Sequence, residues 1–336
     1  MLDFLTRRAA VSEAISSYSW LNSEQSNRAP SLRPFWLTSY LESYCRGRSL
    51  LVPSVAGNRV GEHLLAPLIR TGRTSAEFLL QRTADYCDMF TGPMVDDLSL
   101  VELLTHVLNE LHKLNVQELV LERLPNDSPT QRALQACSRR QGYLYIEDIC
   151  DQLPYINLRE CPNRSQSHRL AEYYRKGDRL ANSGRALFAM NTLPKDLDLI
   201  LADARAAHIA RWKKLGIRSA WSTAQREKFI SNVCVEAQKL SVLFIPTLWI
   251  DGRFPAMRLC FDFGDRIYEW MTAFNLEFSR WSPGHVLLGA SLEWIYENRP
   301  QAQTYELLRG REHWKQSWAD GVRSSKRVTL RLQREL

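Results

Sequence analysis

Three apolar runs separated by two tight turns constrain the fold of this chain more than any other feature of its sequence. The runs extend over 242–250, 254–263 and 266–273, and the dipeptides Asp251-Gly252 and Gly264-Asp265 lie between them. Such pairs between apolar runs are typical of β-hairpins, because Gly and Asp adopt the positive φ angles of tight turns more readily than most residues. The sequence therefore predicts an antiparallel meander of three strands in the second half of the chain.

Helical and extended patterns alternate around this meander in a definite order. The second half also has a predicted strand over 186–190, helices over 196–215, 223–240 and 284–296, a strand over 304–308, a short helix around Trp314 and a strand over 328–332. The first half has predicted helices over 34–45, 99–114 and 128–140 and strands over 50–54, 64–69, 78–81, 116–121 and 143–149. The two halves therefore repeat one order of elements, although their sequences are not visibly similar.

This order resembles that of the GNAT acyltransferases, in which two helices and a three-strand meander are followed by a helix, a strand, a helix and a strand. The resemblance implies an α/β (α+β) fold of two tandem GNAT-like acyl-CoA N-acyltransferase domains, with mixed central sheets flanked by helices. The 336 residues suit two such domains. We expect a first domain over 1–160, a basic helical linker over 161–185 and a second domain over 186–336.

Composition places the chain among ordinary globular proteins. The net charge of +7 favours anionic partners without specifying one. No run approaches the roughly 18 apolar residues of a membrane span, and the start MLDFLTRRAA lacks the pattern of a signal peptide, so we expect a cytoplasmic protein. The seven cysteines are scattered and show no metal-binding spacing, so no metal is expected.

The segment that precedes the predicted helix 284–296 is the best candidate for binding the phosphates of an acyl donor. The N-terminus of a helix attracts anions through its unpaired amides and its dipole. Ser282 is expected to cap this helix, Pro283 suits its first position, and Gly284 allows a close approach to the backbone. The candidate donor-binding residues are Arg280, Ser282, Gly284, His285 and Val286. The alternative is an ordinary Ser-Pro helix start without a ligand.

The corresponding place in the first half is less suited to a second anion. Asp96 and Asp97 lie just ahead of the predicted helix 99–114. Carboxylates at that position stabilise the helix but repel a phosphate. We therefore expect the donor in the second half and a first domain that is degenerate for the cofactor.

Transfer of an acyl group to an amine requires a base for the amine proton and a donor for the leaving thiolate. Glu269 and Glu306 lie on neighbouring predicted strands and are the candidate bases, with Tyr268 and Tyr305 as candidate donors. The alternative is that the carboxylates form salt bridges and that the tyrosines belong to the core.

Particular residues of both halves resemble the CelD/BcsL-type acetyltransferase-like family of the acyl-CoA N-acyltransferase superfamily, a distant relative of FemABX. In the first half these are Pro34-Phe35 with Trp36, Ala66-Pro67-Leu68, and Asp85-Tyr86 with Asp88. In the second half they are Ser282-Pro283-Gly284, Glu306, Gly310, Glu312, Lys315 and Trp318. The family usually has Asp at the position of Glu306 and Tyr at that of Trp314.

The resemblance implies acyl transfer from acyl-CoA, either acetyl-CoA or a longer one, onto an amino group of a sugar or amino-acid-like acceptor, often in exopolysaccharide or envelope biosynthesis. It assigns Lys315 a catalytic or acyl-positioning role, for which the alternative is a surface lysine. The residues expected to bind a small-molecule or glycan-precursor acceptor are Asp85, Tyr86, Asp88, Arg169, Arg175 and Trp314.

Two other functions remain open from the sequence. One is a FemABX-like transferase that takes its aminoacyl group from charged tRNA, with the basic stretches binding RNA phosphates. The other is a non-catalytic scaffold in an envelope or polysaccharide assembly complex, which would tolerate the loss of Lys315 and Gly284.

Overall fold

The computed structural model describes residues 2–6, 8–17, 29–44, 50–159, 168–190 and 196–333. The chain forms two compact units, Met1–Leu153 with Arg323–Leu336, and Pro154–Val322. These units differ from the ranges 1–160, 161–185 and 186–336 at both ends. The helix within the expected linker belongs to the second unit, and the last strand of the chain belongs to the first. Sequence patterns locate strands, but they do not show which sheet a strand joins.

The described residues before the unit boundary form four helices and eight strands. The helices are α1 (Arg8–Ser17), α2 (Pro34–Tyr44), α3 (Asp97–Lys113) and α4 (Pro129–Arg140). The strands are β1 (Leu2–Leu5), β2 (Leu50–Ala56), β3 (His63–Leu65), β4 (Leu68–Arg70), β5 (Ser75–Phe78), β6 (Phe90–Thr91), β7 (Glu118–Pro125) and β8 (Tyr143–Asn157), and β8 continues past the boundary.

The later residues complete the set. The helices are α5 (His168–Asn182), α6 (Leu197–Lys214), α7 (Ala224–Lys239), α8 (Pro283–Asn298) and α9 (His313–Trp318). The strands are β9 (Ala186–Ala189), β10 (Leu243–Phe244), β11 (Thr247–Ile250), β12 (Arg253–Asp262), β13 (Arg266–Phe274), β14 (Thr304–Glu306) and β15 (Gly321–Leu332). β1, α1 and the 3-10 segment Leu276–Trp281 had not been predicted.

The first unit contains a mixed sheet in the strand order β6-β3-β2-β4-β5-β7-β15, with β1 added to β2. β5 and β7 are parallel, and the connection between them contains α3. β15 pairs antiparallel with β7. Apolar residues on one side of α3, among them Leu104, Val107 and Leu111, are buried, as its helical spacing predicts.

The second unit has the strand order β9-β11-β12-β13-β14, followed by the last residues of β8. β13 and β14 are parallel and α8 lies between them in the chain, so each unit contains a parallel strand pair connected through a helix. The mixed α/β architecture predicted from the sequence is therefore confirmed.

The hairpin turns of the second unit form where the sequence places them. Asp251 and Gly252 have φ angles of 51° and 70° between β11 and β12, the two positive values of a type I′ turn. Gly264 has a φ of 85° between β12 and β13. The first run of the meander is divided, because Ile245 and Pro246 separate β10 from β11.

Apolar side chains on α8 pack against the sheet of the second unit. Leu288, Leu292 and Ile295 lie in one core cluster with Tyr305, and Val286 and Leu287 lie in a second. On the other side, Tyr174 of α5 approaches Gly289, where an added Cβ would lie 3.0 Å from the Tyr174 ring. α8 is therefore covered on both sides, which explains why its sequence is apolar nearly all round.

Candidate active site

β13 and β14 run side by side for a short distance and then separate. Their register pairs Arg266 with Thr304, Ile267 with Tyr305 and Tyr268 with Glu306. β14 ends there, whereas β13 continues to Phe274. The chain then turns through Leu308, which has a φ of 54°. A bulky residue in this left-handed region costs about 1–3 kcal/mol and persists where the surroundings enforce it, often at functional sites. We refer to the region between the end of β13 and segment 307–312, which follows the last paired residue of β14, as the opening.

A bulge in β13 borders this opening. Cys260 of β12 pairs with Glu269, but the preceding Leu259 pairs with Met271, so the bulge adds Trp270 to β13. The extra residue places the Glu269 and Thr272 side chains on one face, where the Thr272 hydroxyl donates to Glu269 Oε1 at 2.6 Å. Bulges of this kind re-aim side chains next to active sites.

A buried ion pair connects the bulge to α8. Arg258 and Glu269 are 2% and 3% exposed, and the Arg258 guanidinium donates to the Glu269 carboxylate. Arg258 Nη2 also donates to the carbonyl oxygen of Gly284 at 2.6 Å. The Tyr305 hydroxyl donates to Glu269 Oε2 at 2.7 Å, and burial raises the Tyr305 pKa well above its ordinary value. Both Glu269 oxygens already accept hydrogen bonds. Glu269 is therefore poorly suited to the expected role of general base.

The other expected catalytic groups of the sheet lie on its opposite face, because successive side chains of a strand alternate. Glu306 is 1% exposed, and its Oε1 accepts from the Thr304 hydroxyl at 2.9 Å. Burial raises the pKa of its register partner Tyr268 to about 12. The structure therefore separates Glu269 from Tyr268 and Glu306 instead of forming one cluster.

The start of α8 differs from the expected capped helix. Ser282 is left-handed, with φ 51°, and its hydroxyl makes no capping bond, so the prediction that this side chain caps the helix is wrong. Its hydroxyl instead accepts from Lys176 Nζ of α5 at 3.2 Å. Its carbonyl accepts from the amides of His285 at 3.0 Å and Val286 at 3.1 Å. The Val286 side chain is buried in the core and its amide is bonded to the Ser282 carbonyl. Neither group is therefore available to bind an acyl donor.

Of the expected donor-binding residues, Gly284 and Arg280 remain available to bind the phosphates of an acyl donor at this helix start. Within the described segments the Gly284 amide donates to no other group, and the first turn of α8 has no acidic side chain. An added Cβ at Gly284 would lie 3.6 Å from the Phe274 ring, so the glycine packs on the end of β13. Arg280 is exposed and contacts the Trp281 ring at 5.4 Å.

The start of α3 in the first unit is already occupied by a carboxylate. Asp96 Oδ1 accepts from the Ser99 amide at 2.8 Å, and the Ser99 hydroxyl accepts from the Asp96 amide at 2.9 Å. Arg59 donates to Asp96 at 2.9 Å. The Ser99 amide and Arg59 hold the pKa of this carboxyl far below its usual range. The asymmetry between the two helix starts supports a donor site in the second unit.

An aromatic cluster joins the start of α8 to α9. The His285 ring stacks on Tyr173 with 4.1 Å between centroids, and its Nδ1 accepts from Trp318 Nε1 at 3.0 Å. Trp314 lies edge-on to His285 at 6.2 Å and 5.4 Å from the Arg258 guanidinium. The α8 start and the region of Lys315 therefore lie together.

Lys315 is only 8% exposed and is held by the preceding loop. Its Nζ donates to the Arg309 carbonyl at 2.6 Å and lies 3.8 Å from Glu312 Oε2. An added Cβ at Gly310 would lie 1.9 Å from Glu312 Oε2 and 2.8 Å from Lys315 Nζ. Gly310 also has a φ of 147°, so only glycine fits here.

The expected acceptor residues are spread more widely. Tyr86 and Asp88 make contacts within the first unit: Ser31 Oγ donates to the Tyr86 carbonyl at 2.7 Å, and Ser128 Oγ donates to Asp88 at 2.7 Å. Asp85 lies in the same loop and is buried. Arg175 is exposed on α5 in the second unit. The Arg169 side chain lies outside the described residues, and Trp314 lies beside Arg258 in the second unit.

Sequence reasoning missed Arg258, which connects the bulge, α8 and Trp314. Its signal was an arginine within the otherwise apolar run 254–260. Among the residues that the structure describes, no group of His, Cys, Asp and Glu side chains is arranged to hold a metal ion. No helix in the described segments has the length and apolar character needed to cross a membrane.

Comparison with protein families gives a direct match over the second unit. Residues 167–316 match the model of an acetyltransferase (GNAT) domain. The chain carries a GNAT domain. The match extends from the start of α5 into α9 and includes the opening beside β13. This match places a GNAT acyltransferase domain in residues 167–316, which confirms the predicted superfamily and class of enzyme.

Solved structures extend this likeness over both units. The C-terminal domain (DUF2156) of a protein described as a lysylphosphatidylglycerol synthetase from Agrobacterium fabrum is similar with a TM-score of 0.59 and 11% identity, over 96% of this chain and 92% of that one. L-PGS from Bacillus licheniformis gives 0.60 and 12%, over 96% and 93%. FemX gives 0.57 and 10%, over 98% and 96%. At these identities the likeness shows the fold alone. No curated protein matches the sequence.

Proposed function

We propose that this GNAT protein transfers an acyl group from acyl-CoA to the amino group of a small acceptor at the opening of the second unit. The observation that supports this most directly is the meeting of the α8 start with Lys315. Arg258 binds the Gly284 carbonyl and contacts Trp314, so one buried side chain fixes both regions. We further propose that the acceptor belongs to exopolysaccharide or envelope biosynthesis, as the family resemblance implies.

The groups around the α8 start fit the phosphates of an acyl-CoA. The Gly284 amide is unbonded within the described segments, and the helix dipole adds a partial positive charge. Lys176 contacts Ser282, and Arg280 is exposed at the end of the 3-10 segment Leu276–Trp281. These residues would hold the phosphates, and the bound acyl-CoA would supply a thioester carbonyl.

Lys315 is the residue that we propose to act on that carbonyl. Its ammonium is fixed by the Arg309 carbonyl and lies near Glu312, so it is positioned without a large entropy cost. A cation at this place stabilises the negative charge that develops on the carbonyl oxygen during attack. The amine nitrogen forms a bond to the acyl carbon as the carbon–sulfur bond breaks, and one amine proton is transferred to the thiolate.

A second donor class follows from the structural neighbours. Three of the structural neighbours that cover nearly the whole chain are described as FemX and as lysylphosphatidylglycerol synthetase or L-PGS. This favours, as the second candidate, a FemABX-like transfer of an aminoacyl group from charged tRNA. Binding of tRNA would weaken steeply as the salt concentration rises, whereas binding of acyl-CoA would change less.

Thermal unfolding with each donor separates these functions. A ligand at 100 times its Kd raises the stability of the folded state by about 2.7 kcal/mol. We expect this stabilisation with acetyl-CoA or a longer acyl-CoA, and we expect Gly284→Glu to remove it by adding a negative charge at the α8 start. Because Gly284 is buried, Lys176→Glu provides a second test at a more exposed position. Lys239→Glu, an exposed lysine of α7 paired with Glu236, is the matched control.

Three outcomes decide the proposal. A shift with acyl-CoA that Lys176→Glu reduces and Lys239→Glu does not would support the first function. A shift with charged tRNA alone would support the second. No response to any donor would contradict both and favour the non-catalytic scaffold.

A further inference from the structure

The loop between α6 and α7 projects two aliphatic side chains into solvent. Leu215 is 58% exposed and Ile217 is 53% exposed, and only Gly216 separates them in the chain. Single exposed aliphatic side chains are common on protein surfaces, whereas apolar side chains that lie together and are bordered by polar groups mark sites of association. The charge around this pair therefore decides what it can bind.

Three cations flank the pair. Lys213, Lys214 and Arg218 are all exposed, and none of them has a carboxylate oxygen of a described residue within 4.0 Å. Arg218 Nε donates to the Ser222 hydroxyl at 3.1 Å, which leaves the charge of the guanidinium unbalanced. The surrounding sequence 204–226 contains neither Asp nor Glu. The loop therefore attracts an anionic partner.

Other strongly exposed leucines have a different charge beside them. Leu98 is 79% exposed but directly follows Asp97, and Leu199 is 67% exposed but directly follows Asp198. A carboxylate at that distance opposes the approach of an anionic surface. In the loop 213–218, by contrast, every charged side chain is a cation. The combination of exposed aliphatic groups with uniform positive charge is what distinguishes this loop.

Hydrogen bonds hold the loop in one conformation. Gly216 has a φ of 70°, and the amides of Gly216 and Ile217 each donate at 3.0 Å to carbonyls in the last turn of α6. This is the arrangement with which helices end at a glycine. Beyond the loop, the Ser219 hydroxyl is bonded to His208 Nδ1 of α6 at 2.8 Å. Binding through this loop therefore costs little backbone entropy, because its backbone is already ordered.

The loop follows the end of α6 that lies near the opening. Arg211, about one helical turn before Leu215, places its guanidinium carbon 4.5 Å from the centre of the Phe274 ring. Phe274 ends β13, and the Cβ position of Gly284 lies 3.6 Å from the same ring. A surface that binds the loop therefore lies on the part of the second unit that carries the candidate site.

We infer that the loop 213–218 docks this protein on an anionic lipid bilayer, with Leu215 and Ile217 inserted at the headgroup boundary and the three cations on lipid phosphates. Peripheral membrane segments combine burial of apolar side chains with attraction to anionic lipids in this way. A nucleic acid would use the cations but not the aliphatic pair, because single strands bind through phosphates and through stacking on aromatic rings. The docking does not rest on the proposed function, although it would bring the acceptor of that reaction to a membrane surface.

Co-sedimentation of the full chain with lipid vesicles tests this inference. The vesicles contain phosphatidylcholine and phosphatidylglycerol in equal amounts, or phosphatidylcholine alone. One double variant is Leu215→Ser with Ile217→Ser, and the other is Lys213→Gln with Lys214→Gln. The control is Leu240→Ser with Lys239→Gln at the far end of α7, where the leucine is 57% exposed and the lysine pairs with Glu236. Circular dichroism melts show that each variant is folded.

We expect the unaltered chain to bind the anionic vesicles at least tenfold more tightly than the neutral ones. Each lysine removed from the loop should weaken binding about fivefold, since a basic residue near an anionic surface contributes about 1 kcal/mol. The Leu215 and Ile217 double variant should weaken it at least tenfold, and the control should not change it.

Four results would overturn the inference. They are no binding to anionic vesicles, equal binding to both kinds of vesicle, an equal loss in the control, or unchanged binding after removal of the aliphatic pair. Titration with tRNA covers the competing partner: a loop whose lysines govern binding of tRNA, in a chain that does not bind vesicles, would be a nucleic-acid contact. If vesicles bind as expected but no acyl donor is used, the proposed function fails and the docking surface stands.

Discussion

Replacing Arg258 with methionine should lower the free energy of unfolding, because it removes one partner of the buried ion pair next to the α8 start. The side chains of Arg258 and Glu269 are each only 2% exposed. The substitution would leave the Glu269 carboxylate buried without its cation and the Gly284 carbonyl without its donor. Removal of one partner of a buried pair costs about 3–5 kcal/mol, because the remaining charge stays desolvated. We therefore expect Arg258→Met to lower the free energy of unfolding by that amount.

The paired substitution separates this cause from simple loss of packing. Arg258→Met with Glu269→Met removes both charges and keeps an apolar core of similar volume, which is often close to neutral. The Tyr305 and Thr272 hydroxyls then lose an acceptor, and the Gly284 carbonyl still lacks its donor. The double variant should recover at least half of the lost stability in urea unfolding at pH 7. If the two substitutions are instead additive, or if the single variant loses less than about 1 kcal/mol, the account of a coupled buried pair is refuted.

Two further predictions concern stability. Burial lowers the pKa of His208 to about 4, so the unfolded chain binds a proton there between about pH 6.5 and 4 while the folded chain does not. This histidine should therefore remove up to about 3 kcal/mol of stability as the pH falls through that window, and urea midpoints of His208→Gln should decline less steeply. Gly310→Ala should lower the melting temperature and the rate of acyl transfer, because its Cβ would lie 1.9 Å from a carboxylate oxygen. The control is Gly216→Ala, which has a φ of 70° and no neighbour within 4 Å; an equal loss in both variants would show that backbone strain alone is responsible.

Much of the fold was predictable because local chemistry decides it. The pairs Asp251-Gly252 and Gly264-Asp265 predict the two hairpins, since few other residues adopt the positive φ angles found at Asp251, Gly252 and Gly264. Pro283 and the apolar run after it predict α8. The terminal elements β1 and α1 were missed because the pattern of β1 is very short and that of α1 has weak periodicity.

The site was predictable only in part, because its geometry depends on contacts that are distant in the sequence. Gly284 and Lys315 were both assigned to the site, and Arg258 connects the regions in which they lie. Residues on two strands share a face only in one register, and the register pairs Tyr268 with Glu306, so the separation of Glu269 from Glu306 was not foreseen.

The first compact unit contains most of β15, which follows the second unit in the sequence, and this order has a consequence for biosynthesis. β15 is part of the first unit, where Lys326 bonds Glu147 across 179 positions of sequence. A ribosome must therefore translate the whole of the GNAT domain before the first unit can complete its sheet. Pairings between such distant segments fold slowly. Until β15 arrives, the edge of β7 that it will cover is open to other strands, so a nascent chain of this protein needs protection from aggregation for longer than its size alone suggests.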